Sequence, residues 1–159
     1  MLRLLIVALL MCIASGASAK DKDEFRYEIV SAGVGTEGNA LIKVYSYARN
    51  KNKAIELGKK NAVHGILFKG VPGGSGSYTQ PPLVKPDQQA AHADFFKSFF
   101  KNGEYLRYVK VSSDGIISPK DMMQVGKEFK IGIVFVVSKS ELRKYLESNG
   151  IIKSLGSMF

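Results

Sequence analysis

Residues 47–70 read YARNKNKAIELGKKNAVHGILFKG, and how this stretch folds decides the rest of the chain. Ala54, Gly58, Ala62 and Gly65 recur about one helical turn apart. Ala54, Ile55, Gly58, Ala62 and Ile66 form one stripe at i, i+4 spacing, and Lys51, Lys53, Lys59 and Lys60 fall largely away from it. Asn50 or Asn52 can cap the start. The pattern predicts one helix lying on a sheet. Glycine inside a helix costs on the order of 1 kcal/mol against alanine, so Gly58 and Gly65 need a reason. Close approach of the helix backbone to the sheet supplies one, which makes Ala54, Gly58 and Ala62 the expected packing residues.

The flanking sequence supplies the sheet. Residues 25–36, FRYEIVSAGVGT, predict a first strand, with Tyr27 and Ile29 alternating against Arg26 and Glu28 and a bend near Gly33 and Gly35. Glu37-Gly38-Asn39 predicts a tight turn. Residues 40–47 predict a second strand, with Ala40, Ile42 and Val44 on one face and Leu41, Lys43, Tyr45 and Tyr47 on the other, so the pair reads as an antiparallel hairpin. A third strand is predicted over 104–112, EYLRYVKVS. The strongest one lies within 125–138, where Phe129, Ile131, Ile133, Phe135 and Val137 alternate and Val134 and Val136 fill the other face. Apolar on both sides, it is expected in the centre.

Two further helices are expected. Residues 87–102 predict one, capped by Asp87 and stopped at Gly103. Its Phe95, Phe96, Phe99 and Phe100 occupy a broad arc, which reads as core, with Phe96 and Phe100 as its candidate partner contacts. Ser138 and Glu141 predict a capping box for a helix ending at Gly150, after which the apolar tail should dock on the body or on a partner. Between the first two helices, residues 71–86 hold PGGSGSYTQPPLVKP. The glycines make a flexible half and the prolines an extended half. Here Tyr78, Pro81 and Pro82 are candidate partner-binding residues, with the glycines as their hinge. The order ββααββα predicts an α+β fold, an antiparallel or mixed sheet of about four strands with helices packed on one face.

The amino terminus carries an address. Arg3, the apolar run 4–13 and Ala17-Ser18-Ala19 have the layout of a cleaved signal peptide over 1–19, leaving 20–159 as one domain. Met11 stands before Cys12 where a lipobox needs a small residue. Cys12 is the only cysteine and leaves with the signal, so disulfides and thiolate metal sites are excluded from the mature chain. Export without cysteine suits the periplasm or cell surface of a Gram-negative bacterium. The formal charge of +9, lowered by one when Arg3 is removed, favours anionic lipid, polysaccharide or an acidic partner. The lysines are spread rather than clustered, which solubility alone would also explain.

A hairpin ending in Ala48-Arg49, followed by a helix with Ala54, Gly58 and Ala62, and preceded by Gly33, Gly35 and Gly38, resembles the N-terminal domain of the flagellar assembly protein T. It also resembles the related small outer-membrane lipoproteins. The similarity spans residues 25–70. It implies a non-enzymatic part of an envelope assembly. The chain departs from that pattern in its missing lipobox, its Gly/Pro loop and its Phe-rich helix.

No catalytic signature emerges. His64 and His92 sit on different predicted helices, with Asp87 and Asp94 near the second, and neither has the i, i+4 pairing of a zinc helix. GVPGGSGS lacks the Lys-Ser/Thr ending of a phosphate loop, and no G-x-S-x-G elbow occurs. Tyr105, Arg107, Tyr108 and Lys110 interleave on the third strand as a single-strand nucleic-acid platform would, but export argues against that role. The expectation is a non-enzymatic envelope component with a protein partner, no cofactor, no metal and no nucleic acid. The alternatives are a binding module for polysaccharide, lipid or peptide and, behind it, a hydrolase of unrecognised type.

Overall fold

The computed structural model describes residues 25–74, 76–112 and 116–154. The signal segment with Cys12, the leader 20–24, Ser75, residues 113–115 and the tail from residue 155 lie outside the described residues.

The fold is α+β. Strands β1 (Tyr27–Ser31), β2 (Ala40–Ala48), β3 (Val109–Val111), β4 (Met122–Val125) and β5 (Glu128–Val137) form one antiparallel sheet. Its order is β1-β2-β5-β3, and β4 also pairs with β5. Tyr27 to Ser31 run opposite Ser46 to Ile42, and Ala40 to Ala48 run opposite Val137 to Phe129. The alternation in β2 and β5 explains the layering. Ala40, Ile42, Val44 and Ala48 are buried with Ile131, Ile133, Phe135 and Val137 on one face. β5 is central, held by β2 along one edge and by β3 and β4 along the other.

Helix α1 (Lys51–His64) covers that apolar face. Asn50 is its cap, its side-chain oxygen accepting the Lys53 N–H at 2.9 Å. Ala54, Gly58 and Ala62 are all buried along the side facing the sheet. A Cβ on Gly58 would run into the ring tip of Phe135, so glycine is what lets the helix lie this close. Asn61 and Ser46 make a buried polar link between the layers, Nδ2 donating to Oγ at 2.9 Å.

Several boundaries differ from the sequence reading. The first helix does not run evenly to Gly70. Residues Gly65–Lys69 widen into a π turn closed by the Gly70 N–H on the Gly65 carbonyl at 2.8 Å. The helix end then leaves buried carbonyls without intrahelical donors, and Pro72 has no N–H to give. Leu83 and Val84 supply them, donating to the carbonyls of Ile66 and Leu67 at 3.1 and 3.0 Å. Both side chains are buried. The 71–86 segment is therefore not a loose excursion. Its first part is a small hairpin, with Val71 opposite Gln80 and Gly74 opposite Ser77, and its last part is fastened to the helix end.

The Phe-rich helix is two, α2 (Pro86–Ala91) and α3 (Ala93–Lys101), broken at His92. Its cap is Lys85, not Asp87, because Pro86 takes the first helical position, where no N–H is needed. The third strand is a correction. Gly103 turns left-handed and Glu104–Tyr108 winds into a 3₁₀ turn, leaving only Val109–Val111 extended. Tyr105 and Tyr108 are thus buried, and the interleaved sheet platform does not form. β4 was not foreseen as a strand, so the order ββααββα gives way to ββαααβββα. In helix α4 (Lys139–Ser148), Ser138 makes no side-chain cap bond, and Glu141 pairs with Lys144 instead of closing a box. Ile151 and Ile152 are buried against the body, where the tail begins.

The opposite face of the sheet mixes apolar side chains such as Leu41, Val134 and Val136 with polar ones. Asp121 accepts from Lys43 Nζ at 2.8 Å and from Tyr45 Oη at 2.9 Å, pinning the turn before β4 onto the sheet. Burial alone would raise the Asp121 carboxyl, but the two hydrogen bonds and the Lys43 charge outweigh it and hold it low. The Tyr45 ring lies over Gly132, its partner across the strands.

Candidate functional site

Where α1 passes into its π turn, His64 and Phe68 stand one turn apart on the side facing α3. Phe25, just ahead of β1, stacks on the imidazole with ring centres 3.8 Å apart. Phe100 meets Phe25 edge-on at 5.6 Å, and Phe96 meets Phe68 edge-on at 4.9 Å. These rings wall a cleft of about 600 Å³ without filling it, which lies inside the range of roughly 300–1,000 Å³ usual for small-molecule sites. Gln89 and Ala93 complete one side, and Lys60, Lys97 and Lys101 stand at the rim. The Lys60 ammonium lies 5.1 Å from the Phe25 ring centre and 6.0 Å from that of Phe100.

His64 is the polar group set into this wall. Burial, with the charges of Lys69 and Lys60 beside it, pushes its pKa down from 6.5 to about 4. Its Nδ1 lies 2.7 Å from the Tyr27 hydroxyl. A neutral ring can accept that hydroxyl's proton at Nδ1, which leaves its own proton on Nε2. Burial also raises the Tyr27 phenol, and Lys69 covers the Tyr27 ring at 3.9 Å. The arrangement offers apolar surface, aromatic edges and a cationic rim around the Tyr27–His64 hydrogen bond. Among the described residues, no three His, Cys, Asp or Glu side chains gather to hold a metal ion. His92 lies at the α2–α3 break, and the two histidines are not brought together by the cleft lining. No described helix is long and apolar enough to cross a membrane.

Of the residues singled out in the sequence, Phe96 and Phe100 line the cleft. Tyr78, Pro81 and Pro82 do not. They sit on the 71–80 hairpin and just after it, all exposed, with Tyr78 at 93%. Ala54, Gly58 and Ala62 face the sheet. Sequence reasoning weighed His64 only as a metal ligand, and it missed Phe25, Lys60, Phe68, Lys97 and Lys101. A signal for some of them was present: His64 and Phe68 are four apart on the first helix, and Lys97 and Lys101 repeat at the same spacing beside Phe96 and Phe100. A π turn next to the cleft fits as well, since such turns are frequent at functional sites.

No protein-family model matches the chain, and no curated protein or solved structure matches it either.

Proposed function

We propose that this chain is an exported, non-enzymatic protein of the bacterial envelope that works by binding an apolar ligand in the aromatic cleft. The cleft carries the reading: four phenylalanines wall a space that the fold leaves open instead of collapsing. A core at native density closes such gaps. The export half of the proposal rests on the signal-like segment 1–19.

The test uses the neutral fluorescent probe N-phenyl-1-naphthylamine with the exported chain. Saturable binding of one probe per chain is expected. Ala93→Phe should fill the cleft from an exposed helix position and weaken probe binding at least tenfold without lowering the melting temperature. Binding that does not saturate, or that ignores Ala93→Phe, sinks the proposal.

A second reading, a component of an envelope assembly, is favoured by a different feature. β4 presents an outer edge at which Met122 and Met123 are 48% and 61% exposed, and an unpaired edge invites another strand. Cross-linking in cells would then recover a stoichiometric protein partner through β4, and lose it when Met123 is replaced by Lys.

A further inference from the structure

We infer that the cleft takes a free, single-chain amphiphile with one anionic head, of the long-chain carboxylate class, its chain against the phenylalanines and its head on the lysine rim. The inference rests on the binding function proposed above and adds the chemistry of the ligand.

Charge complementarity gives the sign of the head. Lys97 and Lys101 line the cleft beside Lys60, whose ammonium already lies over the Phe25 and Phe100 rings, and no carboxylate lines it among the described residues. Lys97 and Lys101 are exposed and lie one turn apart on α3, so both ammonium groups can reach one head at the mouth. His64 is neutral near pH 7 and brings no charge to the floor. The formal charge of +9 draws anions to the whole surface, and here lysines stand beside concave apolar surface.

Shape gives the rest. Phe96 is only 5% exposed, so the apolar floor is recessed below the lysines. A bilayer needs apolar side chains that project beyond the basic ones. A single chain needs the reverse, a slot it can enter while its head stays in water. A volume of about 600 Å³ suits one acyl chain.

The experiment displaces the naphthylamine probe with decanoate, decanol and decyltrimethylammonium, the two ions below their micelle concentrations and the alcohol below its solubility. Decanoate should displace it best and the cation worst. Lys97→Gln with Lys101→Gln, both at exposed positions, should weaken decanoate about fivefold to tenfold, as the loss of two solvent-facing ion pairs would. The same pair of changes should weaken decanol and the probe by a clearly smaller factor than decanoate. Equal displacement by decanoate and decanol, in wild type and variant alike, overturns the charged-head inference and leaves apolar binding standing. Failure of the probe itself to bind overturns both. Anionic phosphatidylglycerol vesicles that bind the chain while decanoate does not would make the source a membrane, against the inference. The leader is the remaining rival occupant, since Phe25, the residue after it, lines the cleft. Asp21→Asn, Asp23→Asn and Glu24→Gln in the full chain should leave decanoate affinity unchanged. A tenfold gain would show that leader carboxylates already hold the rim, and would overturn the inference.

Discussion

Along α1, the Gly58 side and the His64 side meet aromatic rings in opposite ways. At Gly58 a missing side chain receives the tip of one ring, Phe135, and the layers close. Two turns on, His64 meets Phe25, Phe68 and Phe100, and the rings stand around a space instead of filling it. Both regions are aromatic and largely buried. What separates them is whether a small residue sits opposite a large one. Knob and hollow give core. Ring beside ring, with lysines behind, gives a lined cleft.

The largest expected effect breaks the open side. The unfolded chain takes up a proton at His64 near pH 6.5, whereas the folded chain does so only near 4. Between those values the unfolded state binds more protons. Stability from the neutral ring is therefore full above about pH 6.5 and is lost as the pH falls toward 4. The shift corresponds to about 3 kcal/mol at full protonation. Urea unfolding at pH 7.5 and pH 4.5 should show this slope, and His64→Gln should flatten it. An NMR titration that places the His64 ring at an ordinary 6.5 would show that the wall is wetter than its geometry implies.

Next in size is an insult to the closed side. Gly58→Leu should destabilise by roughly 1–3 kcal/mol through overpacking against Phe135. Alanine here should also destabilise, but less. The atoms it meets belong to a fully buried, rigid ring and lie well inside van der Waals contact of the added Cβ, so the clash outweighs the gain in helix propensity. Unchanged melting for Gly58→Leu would mean that the helix can lift off the sheet freely.

How much of this was legible follows from where each signal lives. The faces of β2 and β5 and the small-residue stripe of α1 are local periodicities, and they read correctly from the sequence. The π turn was not legible, because it depends on Leu83 and Val84 arriving to satisfy two carbonyls. The 3₁₀ turn at 104–108 was misread as strand, because EYLRYVKVS alternates well enough for either and burial of Tyr105 and Tyr108 under α3 decides it. The cleft draws on three separate segments, around Phe25, His64–Phe68 and Gln89–Lys101. Only the last of these drew attention as a surface, through Phe96 and Phe100.

The smallest expected effect sharpens the contrast, because Gly65 follows His64 yet faces the sheet at β1. A Cβ there would come within 2.7 Å of Ile29 Cδ1 and 3.4 Å of the Tyr27 hydroxyl. The first distance is tight, but Cδ1 is the free end of a flexible, half-buried chain, and one rotamer step relieves it. The second needs only a few tenths of an ångström. Gly65 has φ −62°, so alanine meets no backbone strain, and it gains up to about 1 kcal/mol in helix propensity. The two terms nearly cancel. Gly65→Ala should therefore change stability by less than about 1 kcal/mol, a few degrees in melting temperature. Because Ile29 yields and Tyr27 stays, the hydroxyl should keep its place on His64 Nδ1, and the ring should still titrate near 4. A loss as large as that of Gly58→Ala would show Ile29 locked and the closed packing extending to the edge of the cleft. A His64 titration moved upward with stability unchanged would show instead that Tyr27 had swung away and opened the wall to water.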